Sequence, residues 1–139
     1  MKQMHDNCFV DTNLLVYSVT DCDKSKTARL LFANQNLPRV SVQVINEFIN
    51  VCKRKKILPE PTLYSLAKEL IVQLNPACID RQTLFLVIEV AHRYQYCTFD
   101  SLIIASALQQ NCKTLFSEDM QHGQLINDKL TIINPFLTT

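Results

Sequence analysis

Four acids in this chain stand where a carboxylate could do chemistry. Asp11 follows the apolar run Cys8-Phe9-Val10, and Asp119 closes a second run, Leu115-Phe116, after Ser117 and Glu118. Apolar runs bounded by polar residues read as buried strands, and in open parallel sheets ligands bind just beyond the strands' carboxyl ends. Asp100 falls in the first turn of a helix, on the face shared by Ile103, Ile104 and Ala107, which directs it inward. Glu47 borders the apolar arc of another helix, in line with Val44 and Val51. Each acid alone has an ordinary explanation: a strand end, a helix rim or a stabiliser of a first turn. Together they would form a cluster of anions that is destabilising in a partly dry cleft without a cation. Hard oxygen ligands without His or Cys select Mg²⁺ or Mn²⁺, as one ion or two. Such ions bind phosphates, so the natural chemistry is metal-assisted phosphodiester hydrolysis.

The elements that must position these acids follow from pattern. Asp21 and Asp23 offer caps for a helix over about 24–36, with Ala28, Leu31 and Phe32 on one face. A very short strand at 38–41 precedes an amphipathic helix over about 42–55. Pro61 suits the first turn of the next helix, whose Leu63, Leu66, Ala67, Leu70, Ile71 and Leu74 recur at helical spacing. A short strand near Cys78-Ile79 is expected next. Asp80 then caps a helix over about 81–95, with Leu84, Val87, Ile88 and Ala91 inward. The helix carrying Asp100 is followed by strands at 112–116 and 130–133. Alternation of this kind predicts an α/β fold of three layers, α/β/α, with a mainly parallel central sheet of about five short strands and right-handed crossovers.

Composition narrows the class. The chain has 139 residues, 47% of them hydrophobic, which suits a single domain over 1–139 with a sizeable core. No apolar run is long enough to span a bilayer, and the polar start, including His5, reads as no signal segment, so no membrane partner and a cytoplasmic location are expected. Six cysteines without a C-x-x-C pair suggest buried free thiols rather than zinc ligands or disulfides. The net charge of +1 gives no general attraction to nucleic acid. The dense cationic patch Lys53-Arg54-Lys55-Lys56 could be a solvated helix end or a contact to a phosphate backbone, with Arg39 as a further candidate for the latter. Strand alternation would point Glu118 to solvent, His122 reads as an exposed loop residue, and Tyr94 and Tyr96 read as packing residues rather than stacking platforms for bases.

At this point the residues resemble a known family. F-V-D-T-N at 9–13, V-I-N-E-F at 44–48, T-F-D-S-L-I-I-A-S-A at 98–107 and L-F-S-E-D-M at 115–120 look like the four acidic motifs of PIN-domain ribonucleases, and the length and layout resemble the VapC-like toxins of toxin–antitoxin pairs. The resemblance implies a PIN-like fold and an acidic quartet of Asp11, Glu47, Asp100 and Asp119 that binds metal, supported by Thr12, Asn13 and Ser117. It further implies endonucleolytic cutting of RNA to a 5′-phosphate and a 3′-hydroxyl, a homodimer and a cognate antitoxin. Other classes fit less well. A phosphoaspartyl receiver needs adjacent acids near its first strand and a later strand-end Lys, and a haloacid-dehalogenase phosphatase needs an acid where Asn13 stands. A non-catalytic RNA- or partner-binding module of this fold, or a nuclease directed at DNA or at a particular structure, would share most of the pattern.

Overall fold

Why the acids of distant segments can meet is visible first in the strand register. The computed structural model describes residues 7–33 and 37–137. Strand β1 (Cys8–Val10) pairs in parallel with β2 (Thr114–Phe116), matching Val10 to Phe116. Strand β4 (Leu130–Ile133) pairs in parallel with β2, and β3 (Leu125–Ile126) pairs antiparallel with β4, giving the sheet order β1-β2-β4-β3. Phe9, Val10, Leu115 and Ile132 are fully buried, as expected of short strands covered by other elements.

The described residues also form six helices: α1 (Thr12–Ser18), α2 (Ser25–Phe32), α3 (Val42–Arg54), α4 (Glu60–Leu74), α5 (Arg81–Tyr94) and α6 (Thr98–Gln109). Packing links α1 to α2 and α3, α3 to α4, and separately α5 to α6. The mixed α/β architecture and mainly parallel sheet agree with the expectation, but the strand inventory differs. The expected strands at 38–41 and 78–79 shrink to single parallel bridges, Phe9 to Arg39 and Ser41 to Ala77, while β3 was not foreseen. Pro38 and Pro76 beside those bridges lack the N–H that a longer ladder needs, which limits pairing there.

Other departures have local causes. The apolar run continues past Asp11, but only Cys8–Val10 is strand and Thr12–Ser18 is helix. A buried apolar stretch does not reveal its own period. Helix α2 begins at Ser25 with Lys24 at its N-cap position and no side-chain cap, so Asp21 and Asp23 do not cap it; the expected final residues 34–36 lie outside the described residues, as does His5. In α5 the buried set is Thr83, Val87 and Val90, whereas Leu84 and Ile88 are exposed. The expected Asp80 cap is present as a capping box, with Asp80 Oδ1 accepting from Thr83 N at 3.0 Å and Thr83 Oγ1 accepting from Asp80 N at 3.1 Å. All six cysteines are free, yet only Cys52 and Cys112 are buried; Cys22, Cys78 and Cys97 are exposed.

Candidate active site

The parallel register of β1 and β2 sets Asp11 and Ser117 side by side, each immediately after the last paired residue of its strand. Asp11 N donates to Phe116 O at 3.0 Å and Ser117 N to Ile133 O at 3.0 Å, so the backbone ladder runs into the site. Ser117 Oγ donates to Asp11 Oδ2 at 2.8 Å, and Thr12 N donates to Asp11 Oδ1 at 2.7 Å. The same Ser117 Oγ accepts from Asp119 N at 3.2 Å, which turns the chain so that Asp119 flanks Asp11. Asn13 Nδ2 then donates to Asp119 Oδ2 at 2.9 Å. The side chains of Asn13 and Ser117 thus frame two of the expected acids, whereas Thr12 contributes its backbone N–H and not its hydroxyl.

Burial dominates the electrostatics. Asp11 is 6% exposed, and loss of solvation pushes its carboxyl up to about 6. The bonds from Ser117 and Thr12 oppose that rise, while the charges of Asp119 and Asp100 add to it. Burial also raises Asp119, with the charges of Glu118 and Asp100 adding and Lys24 opposing. Asp11, Asp100 and Asp119 therefore lie within one another's fields. Asp100 itself is half-buried in the first turn of α6, where the helix N-terminus favours an anion.

The other candidates are placed differently. Glu47 is half-buried on α3, where Gln43 Nε2 donates to its Oε1 at 3.5 Å, and it lines a hollow with Asn46, Asn50 and Phe99, the neighbour of Asp100. Arg39 bridges to Phe9 on the edge of β1 opposite β2, and its Nη1 donates to Gln110 Oε1 at 3.3 Å. Gln110 caps the end of α6 opposite to Asp100, about 15 Å along that helix. Arg39 is thus not beside the acids. Lys53, Arg54, Lys55 and Lys56 are exposed at the end of α3, and Arg54 stands seven residues, about 10 Å, beyond Glu47 on the same helical face. Lys53 Nζ donates to Tyr64 Oη at 3.2 Å and pairs loosely with Glu60 at 3.9 Å.

One polar residue corrects the expectations. Glu118 does not point to solvent: its side chain is 13% exposed, pairs with the Lys24 ammonium and accepts from the Tyr17 hydroxyl. Strand alternation cannot be carried to residue 118, because β2 ends at Phe116. The exposed His122 is held by its fold, with Nδ1 accepting from Asn134 N at 3.0 Å. Tyr94 and Tyr96 fasten loops as packing residues do: Tyr94 Oη accepts from Asn127 N at 2.8 Å, and Tyr96 Oη accepts from Gln121 N at 3.1 Å.

Residues 8–125 match the PIN domain family. The chain belongs to that family. A comparison with curated proteins finds no match. Among solved structures, this PIN domain is similar to the crystal structure of Mycobacterium tuberculosis VapC20, described as a sarcin-ricin loop cleaving toxin, with a TM-score of 0.62 at 18% identity over 81% of this chain and 92% of that one. The likeness extends to the fold.

The donor set of this PIN domain suits a hard divalent cation, although among the described residues no three carboxylates converge tightly enough to grip an ion on their own. Mg²⁺ retains several waters and is held by one or two carboxylates together with substrate phosphates, so a tight protein cage is not required. Thr12 Oγ1, buried next to Asp11 in the chain, has no hydrogen-bond partner among the described residues. The residues fit the ion.

Proposed function

We propose that this PIN domain is a Mg²⁺- or Mn²⁺-dependent endoribonuclease, the toxin of a toxin–antitoxin pair. The observation that carries the reading is the meeting of Asp11, Asp119 and Asp100 at one end of a parallel sheet, where the charges of Asp119 and Asp100 raise the proton affinity of Asp11 and that of Asp100 raises the proton affinity of Asp119. Asp11, Asp100 and Asp119 would hold one or two ions, with Glu47 as the fourth acid across the Phe99 hollow. A bound ion supplies Lewis-acid polarisation of the phosphoryl oxygen and an acidified water.

The chain's own residues prepare that chemistry. Ser117 and Thr12 each donate to one oxygen of Asp11, which favours its ionised form against the effect of burial. Asn13 fixes Asp119 through Oδ2. RNA would approach along α3, where Lys53, Arg54, Lys55 and Lys56 provide cations for sequence-independent phosphate contacts. Arg39 is left out of that path because it stands away from the acids.

The toxin reading brings with it an antitoxin, a homodimer and a cytoplasmic location. No helix among the described residues is long and apolar enough to cross a membrane. Leu84, Phe85 and Ile88 are exposed on one face of α5, an apolar surface of the kind that protein partners cover. That VapC20 is described as a sarcin-ricin loop cleaving toxin makes the sarcin-ricin loop a first substrate to try.

The test is cleavage of a mixed RNA pool by purified protein with Mg²⁺, Mn²⁺ or EDTA, run beside Asp11→Asn. Metal-dependent fragments absent from the variant are expected. RNA binding that survives the substitution, with no cleavage under any condition, would replace this reading with a non-catalytic binding module.

A further inference from the structure

Glu118 is used by none of the chemistry above, yet it is one of the most engaged side chains near the acids. The Lys24 ammonium pairs with its Oε2 and the Tyr17 hydroxyl donates to its Oε1. Asn13 Nδ2, which bonds Asp119 Oδ2 at 2.9 Å, also lies 3.5 Å from Glu118 Oε1. One amide group therefore spans two adjacent carboxylates. Lys24 is gripped in turn: its Nζ lies 5.3 Å from the ring centroids of both Tyr17 and Phe136, and those rings meet edge to face at 5.5 Å. The assembly draws together α1, the start of α2, the turn after β2 and the segment after β4.

An anion next to Asp119 is costly, since its charge adds to those of Asp11 and Asp100. Lys24 offsets that cost, but an ion pair that served only to staple α2 to the sheet would have no need to share the amide that orients Asp119. We infer that Glu118 is a positioning residue: held by Lys24 and Tyr17, it fixes Asn13, and Asn13 fixes Asp119 with Oδ2 occupied and Oδ1 left for a cation. The inference rests on the nuclease reading of the site and deepens it.

Charge and geometry make opposite predictions at Lys24, which gives a decisive test. Mn²⁺ binding is measured by electron paramagnetic resonance on the full chain and on Lys24→Met, Lys24→Arg, Glu118→Gln and Tyr17→Phe, with circular dichroism confirming the fold. If Lys24 acted only through its charge, removing it would tighten Mn²⁺ binding. Under positioning, Lys24→Met weakens Mn²⁺ binding by about tenfold, in the range for groups that orient metal ligands. It also lowers kcat on RNA while leaving the KM for RNA unchanged, and Lys24→Arg restores both. Tyr17→Phe, which keeps both ring contacts and removes only the hydroxyl, weakens Mn²⁺ binding in the same direction and guards against a misfolded Lys24→Met.

The inference is overturned if folded Lys24→Met and Tyr17→Phe bind Mn²⁺ as tightly as the wild type or more tightly. A wild type that binds Mn²⁺ and responds to these substitutions, yet cuts no RNA, would retain the positioning role and reject the nuclease. A wild type that binds no Mn²⁺ would overturn both.

Discussion

Asp11→Asn should make the metal-free protein more stable, and the gain should depend on pH in a way that identifies its cause. Burial and the neighbouring acids raise the Asp11 carboxyl from its ordinary 3.8 to about 6 in the folded chain. The folded state therefore holds a proton that the unfolded state releases between those values, and stability falls as pH rises through that window. Above about pH 6 the full cost of ionisation is present; below the unfolded value it is absent. The displacement corresponds to about 3 kcal/mol for this nearly buried group. Asparagine retains an acceptor for Thr12 N and can donate to Ser117 Oγ, but it loses the charge-assisted character of both bonds. The net gain at about pH 8 should then be about 1–2 kcal/mol, or about 3–8 °C in Tm, and close to zero at about pH 4. Urea denaturation in EDTA at both pH values checks this, as the midpoint shifts with an unchanged m. A variant less stable than wild type at pH 8, or a difference of equal size at both pH values, would refute the claim that Asp11 is held against its own solvation.

The remaining outcomes follow from the same contacts. Ser117→Ala removes the bond that most favours ionised Asp11, so the acid limb of the cleavage profile should move to higher pH; an unmoved limb would separate Asp11 from the titration that governs activity. Lys53→Ala with Arg54→Ala should reduce the salt slope of RNA binding by up to about two while cleavage at saturating RNA persists, read from binding isotherms across salt concentrations. Asp80→Ala opens the capping box of α5 and should cost about 1 kcal/mol in urea unfolding with no effect on Mn²⁺ affinity, which makes it a control for stability alone.

Much of the fold was legible because its strongest patterns are local. The helices α3 to α5 follow from amphipathic spacing, from Pro61 in the first turn of α4 and from the Asp80 cap of α5. The positions of Asp11 and Asp119 follow from apolar runs that end in carboxylates. What was hidden depends on tertiary context. Helix α1 follows β1 with only Asp11 between them, and Leu14, Leu15 and Val16 are buried whichever structure they adopt, so hydrophobicity cannot mark the change. Leu84 and Ile88 sit at helical spacing beside Val87, and only the packing of α5 on α6 decides which edge of the apolar arc is covered. Glu118 was misplaced because its partners, Tyr17 and Lys24, are about a hundred residues away, and no local rule links them.

The same contacts explain how a chain of near-neutral charge tolerates acids at one point. Their mutual repulsion would oppose folding, and the fold answers it with fixed partial charges rather than with a buried cation at each acid. Asp11 sits at the N-cap of α1, Asp100 lies in the first turn of α6, and both face the positive ends of helices. Ser117 and Thr12 add two donors at Asp11, and Asn13 adds one at Asp119. These groups are anchored by the β1–β2 register, so they need not reorganise when a phosphate or a cation arrives. The compensation is incomplete, because Asp11 still rests near 6 and Asp119 is still raised. That residual strain is what a divalent cation would relieve, so Mg²⁺ or Mn²⁺ should stabilise the wild type and leave Asp11→Asn nearly unmoved, reversing the stability order of the two proteins once the ion is well above its Kd.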